Sequence, residues 1–174
     1  DTNCQECQAG QYQDQTGKDS CIECPDGSYQ ARNAETTCGP CAAGTYMDVV
    51  GAQACIPCLP GLYHSQSGQT SCISCPPGRS SHAPSPSPPT TPSTTGGSDE
   101  CRDCLVGLYS SDDGAHNCAS CPAGKIQAGT GQTACIGCEN GQYQNDTGET
   151  VCIHCEAGQY NDQVGESECI ACEA

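Results

Sequence analysis

The chain has 174 residues, of which 20 are cysteine, with no Trp or Phe, one Met and a net charge of −16. Ile, Leu and Val number 16 in all, too few for a large apolar core, and no apolar run approaches a transmembrane length. The five cations (Lys18, Arg32, Arg79, Arg102 and Lys125) are scattered, which excludes the clustered positive charge that nucleic acid or an anionic membrane requires.

Cysteine changes the expectation for so apolar-poor a chain, because crosslinks can hold a fold that its core cannot. The sequence opens at Asp1 without a signal-peptide pattern and reads as a mature or excised piece of a longer secreted chain.

Internal repetition organises the rest. A Cys-x-x-Cys pair begins at Cys4, Cys21, Cys38, Cys55 and Cys72, a period of 17 residues. Six residues after each leading cysteine comes a glycine (Gly10, Gly27, Gly44, Gly61, Gly78), and two further on a tyrosine in the first four frames (Tyr12, Tyr29, Tyr46, Tyr63). A second glycine follows in a polar stretch, as in Asp14-Gln15-Thr16-Gly17. The first glycine supplies positive φ or close backbone approach. The tyrosine segment reads as a short strand, and the polar stretch as a hairpin turn. Each frame is therefore expected to be one two-stranded, cysteine-closed hairpin, and no helical period is visible.

The fifth frame spans 29 residues instead of 17. Its excess falls in a Pro/Ser/Thr-rich segment over 80–98, expected to be extended and polyproline-like. It divides the chain into a first array, 1–79, and a second, 99–174. Ser/Thr with Pro is also the composition of O-glycosylated stalks. Ser85, Ser87, Thr90, Thr91, Ser93, Thr94 and Thr95 are candidate O-glycan sites. Pro84, Pro86, Pro88, Pro89 and Pro92 are candidates for hydroxylation and glycosylation.

The series resumes at Cys101, Cys118, Cys135, Cys152 and Cys169, giving nine full frames and the start of a tenth. Asn145-Asp146-Thr147 is the single N-glycosylation sequon, placed in a predicted turn. Asp112-Asp113-Gly114 and Asn145 to Gly148 carry calcium-type ligands but match no EF-hand loop, and solvated turns explain them better. His64, His82, His116 and His154 are scattered, and no nucleophile motif or phosphate loop occurs. The chain reads as non-enzymatic, with no cofactor. The tyrosines read as cover for the disulfides rather than a recognition stripe.

Three chemistries suit the cysteines. Disulfides fit a secreted, loop-rich, acidic chain. Five four-cysteine zinc sites would use every thiolate, but an even period does not group the pairs in twos. Thiol redox catalysis needs a helix N-terminus or cation to lower a thiol pKa, and neither is visible. If all frames fold alike, the simplest pairing joins the second cysteine of one pair to the first of the next. This gives Cys7–Cys21, Cys24–Cys38, Cys41–Cys55, Cys58–Cys72, Cys75–Cys101, Cys104–Cys118, Cys121–Cys135, Cys138–Cys152 and Cys155–Cys169. Cys4 and Cys172 are then left over. A crossed scheme, Cys4–Cys21 with Cys7–Cys24, uses all 20 and stays open, although odd and even frames do not differ.

The consensus C-x-x-C-x-x-G-x-Y…G…C-x-x-C resembles the ephrin-receptor-like cysteine-rich repeat, within the growth-factor-receptor cysteine-rich and EGF-like group. The loop from Cys7 to Cys21 also resembles the first submodule of tumour necrosis factor receptor domains, a likeness that implies a bond between those flanking cysteines. The resemblance implies a small disulfide-rich fold, an elongated tandem array of hairpins, and an extracellular location. The Ser85-Pro86-Ser87-Pro88-Pro89 run resembles hydroxyproline-rich cell-wall and flagellar glycoproteins, which implies a mastigoneme (flagellar hair) or similar glycoprotein filament. The expected role is structural, with self-association or other extracellular glycoproteins as partners. A receptor or adhesion ectodomain is the alternative, and a zinc protein a weaker one.

Overall fold

The computed structural model describes residues 6–81 and 97–173. The candidate modification sites from Pro84 to Thr95, His82 and Cys4 lie outside the described residues.

No helix occurs among the described residues; the regular structure consists of nine antiparallel hairpins of two-residue strands. In the first, Gln11–Tyr12 pairs with Ile22–Glu23, Tyr12 lying opposite Ile22. The tyrosine segment is the first strand, as its position after the glycine suggests. The second strand is the pair of residues enclosed by the next Cys-x-x-Cys, so those two positions are ladder rather than spacer. Two-residue strands cannot stand alone in water, and closure by sulfur supplies what a longer ladder would.

Nine disulfides join the second cysteine of one pair to the first of the next, from Cys7–Cys21 to Cys155–Cys169. Eight close 15-residue loops (sequence separation 14), and Cys75–Cys101 spans 26. Closing a 15-residue loop is worth about 3 kcal/mol in the chain-entropy model. Cys172 is exposed and is the one free cysteine among the described residues. The zinc reading needed thiolates in fours, and sulfur–sulfur bonds occupy them instead. Among the described residues no group of three or more His, Cys, Asp or Glu is arranged to hold a metal.

The core is mostly sulfur. Cys24, Cys41, Cys75, Cys104 and Cys121 are fully buried, while the tyrosines are only half-buried and Tyr160 is exposed. Also buried are the first glycine of seven frames, from Gly10 to Gly124, and the residue after the tyrosine register in five: Met47, Ser110, Gln127, Gln144 and Asn161.

The described residues fall into two compact units, 6–74 with 97–100 and 75–81 with 101–173. The folded frame runs into both ends of the 80–98 segment. Ser80 stands in the tyrosine register, is fully buried and pairs with Arg102. Gly97 takes the second-glycine register at φ +100°. Ser98 bridges Tyr63, and its carbonyl accepts from the His64 amide at 3.2 Å. That bonding ties 97–100 to the first unit.

Candidate functional site: the repeat junction

Within each unit, each frame meets the next through the same backbone set. Between Cys104 and Gln132, the Gly107 amide donates to the Gln127 carbonyl (2.6 Å), the Gly131 amide to the Cys104 carbonyl (2.7 Å) and the Ser110 amide to the Gln132 carbonyl (3.1 Å). The Cys121 amide closes the hairpin onto the Gly107 carbonyl at 2.9 Å. The same bonds recur in the first unit: Gly27 to Met47, Gly51 to Cys24 and Gln30 to Ala52. The second glycine is thus more than a hairpin turn, because its amide docks the turn onto the preceding cysteine.

The first glycine has two constraints. Its φ is positive, +77° at Gly107, where L side chains are strained. It also abuts a frame two further along, since a Cβ on Gly107 would overlap the Gly148 carbonyl, with its carbon at 2.7 Å. Gly27 meets Gly68 in the same way, and Gly124 meets Gly165. Gly141 and Gly158 have no such neighbour within 4 Å. Within each unit, then, frames touch both the next and the next but one.

A glutamine staple holds the loop of several frames, and the sequence reading missed it. Gln127 Nε2 donates to the Ala134 carbonyl (2.7 Å), and its Oε1 accepts from the Gly129 amide (3.0 Å). Gln144 does the same with Val151 and Asp146, Gln30 with Thr37 and Arg32, and Gln13 with Ser20 and Gln15. A buried amide with both ends satisfied costs little and fixes the loop, whereas an unsatisfied one would cost about 1–3 kcal/mol. His64 holds the same position, its Nδ1 accepting from Gln66 N at 3.2 Å. Asn161, one methylene shorter, reaches back instead, accepting from Gly141 N (2.7 Å) and donating to the Gln142 carbonyl (2.6 Å). The signal was a glutamine recurring immediately after the tyrosine register, at Gln13, Gln30, Gln127 and Gln144.

The residues singled out for chemistry do not converge. Asn145 is exposed, in the loop between Tyr143 and Cys152. Asp146 and Thr147 are exposed in the same loop, and Asp112 and Asp113 in a separate turn. His154 is exposed, and His116 Nδ1 lies 3.3 Å from Ser81 Oγ. Arg79 and Asp103, opposite one another across a hairpin, form a half-exposed ion pair of 2.7 Å.

One surface row was not foreseen. The residue after the leading cysteine is isoleucine in six frames, and all six are exposed: Ile22, Ile56, Ile73, Ile136, Ile153 and Ile170. Five of them lie opposite a tyrosine and Ile136 opposite Ile126.

The repeated cysteine-closed hairpin, with its fixed glycine and tyrosine registers, matches the family model of the tyrosine-protein kinase ephrin type A/B receptor-like repeat. The match occurs six times, over residues 1–33, 15–54, 27–66, 44–86, 93–131 and 124–169. The chain belongs to this family. Its ephrin-receptor-like repeats are a non-catalytic, receptor-type ectodomain module, and dense disulfides place such a module in an oxidising, extracellular setting. The six matches leave only 87–92 and 170–174 uncovered. Among curated proteins, none matches the chain. No helix among the described residues is long and apolar enough to cross a membrane.

Proposed function

We propose that this ephrin-receptor-like array is a structural segment of an extracellular glycoprotein fibre or surface appendage. The observation that carries the reading is the uniformity of the junction. The same disulfide and the same three backbone bonds recur while side chains elsewhere vary. Backbone-built junctions between neighbours allow a solenoid to be extended frame by frame. In this reading the Pro/Ser/Thr segment over 80–98 is a glycosylated linker between two arrays, with hydroxylated and glycosylated side chains from Pro84 to Thr95. Asn145 carries an N-glycan, and the chain assembles with itself or with other structural glycoproteins. The resemblance of the linker to flagellar and cell-wall glycoproteins supports this setting.

A receptor or adhesion ectodomain is the second reading, favoured by the family and by the exposed isoleucine row. Electron microscopy of the native material separates the two. Filaments with an axial repeat support the structural role, whereas dispersed monomers with saturable binding of a protein ligand refute it.

A further inference from the structure

The spacing inside the Cys-x-x-Cys pairs never changes, whereas the spacing between them does. All ten pairs enclose two residues, while the bridged loops have a sequence separation of 14 in eight cases and 26 in Cys75–Cys101. The extra residues of the fifth frame therefore lie inside a bridge and not between two bridges. Each bridge brings its two Cα atoms to 5.5–5.8 Å. What joins one bridge to the next is the pair of residues that forms the second strand of a hairpin, such as Ile22–Glu23 after Cys7–Cys21 or Arg102–Asp103 after Cys75–Cys101. Strand backbone is already near its full length, so these connections hold almost no slack.

Tension follows the shortest covalent route. We infer that in the oxidised chain this route is the series of disulfides and two-residue strands, so that force between the ends passes through sulfur, the loops carry none, and length is released only when an external thiol reduces a bridge. From Cys7 to Cys169 the route is limited to about 135 Å, against about 570 Å for the same stretch without bridges. The segment over 80–98 links the two arrays in sequence, but Cys75–Cys101 takes the tension past it. Reduction is thiol exchange. The thiolate of a dithiol attacks one sulfur and expels the other as a thiolate, and its second thiol then closes on the mixed disulfide. The cystine ends as two thiols, having gained two electrons and two protons, and the dithiol as a cyclic disulfide. The inference rests on the disulfide scheme and not on assembly into a fibre.

The test stretches single oxidised chains held by cysteine-free tags at both ends, first alone and then at constant tension in a dithiol. Alone, the extension is expected to stop at the route of about 135 Å plus the tails outside Cys7 and Cys169. In the dithiol, eight steps of about 43 Å and one of about 85 Å are expected, as each 5.5–5.8 Å bridge gives way to its loop. Deleting residues 83–94 restores the 17-residue period. It is expected to leave the oxidised limit unchanged and to shrink the one long step to about 43 Å. Replacing both members of the long bridge, Cys75→Ser with Cys101→Ser, lengthens the oxidised limit by about 85 Å and leaves eight steps, whether or not that frame still folds. A deletion that shortens the oxidised limit by about 42 Å puts the segment on the route and overturns the inference. So does a parent limit near twice that expected, since crossed pairing leaves every second loop on the route. Because single chains are pulled, either result stands apart from whether the native material forms filaments.

Discussion

Replacing Gly107 with alanine separates backbone strain from contact between distant frames, because Gly141 is a built-in control. The two share a register and a nearly identical φ, +77° and +78°. Both substitutions force an alanine into the left-handed region, at about 1–2 kcal/mol. Only at Gly107 does the new methyl also meet backbone, the Gly148 carbonyl, whose carbon would lie at 2.7 Å. Backbone cannot rotate aside as a side chain does, so overpacking adds about 1–3 kcal/mol there. A repeat array unfolds locally, so a global melting temperature would dilute the effect. Amide hydrogen exchange reads it in place. The Cys121 and Cys155 amides donate to the carbonyls of Gly107 and Gly141, both at 2.9 Å. Gly141→Ala is expected to speed exchange at Cys155 about tenfold, and Gly107→Ala to speed it at Cys121 on the order of a hundredfold or more. Equal acceleration at both sites would refute the contact between alternate frames.

Gln127→Ala removes both halves of a buried staple and is expected to destabilise its loop by about 1–3 kcal/mol, seen as faster exchange at the Gly129 amide. Undiminished protection there would show that the amide is a passenger. Ala34 occupies the second-glycine register at φ +59°, so Ala34→Gly should stabilise the first frames by about 0.5–1 kcal/mol, relief of left-handed strain exceeding the added chain entropy. Slower exchange at residue 34, whose amide donates to the Cys7 carbonyl at 2.7 Å, is the check. Full reduction should unfold both units, since the buried core is mainly cystine, while a metal chelator should leave far-ultraviolet circular dichroism unchanged. Loss of structure on chelation would revive metal binding.

The hairpin and its repetition were legible because cysteine, glycine and tyrosine recur at fixed offsets and each has a local reason to do so. The staple was not. Gln13, Gln30, Gln127 and Gln144 sit in polar surroundings where glutamine is unremarked, and only the folded loop shows both amide ends satisfied. Contact between alternate frames was also hidden, since a 17-residue period fixes the length of a frame but not how far each turns against the last. The isoleucine row reads equally well as core or surface. It is surface because the second cysteine of each pair takes the interior position that an aliphatic residue would fill in a larger domain. Gly97 escaped notice because the insertion shifted it out of the 17-residue count, though it keeps its distance to Cys101.

The claim on which the rest depends is that each junction is made alike, one sulfur of every pair closing the loop behind and the other opening the loop ahead. Peptide mapping of the unreduced protein tests it directly. Digestion at acidic residues should release Cys7 linked to Cys21 as an isolated pair, because the fragments 7–14 and 20–23 carry one cysteine each. Recovery of Cys4 linked to Cys21 alongside Cys7 linked to Cys24, with the same alternation further along, would contradict it.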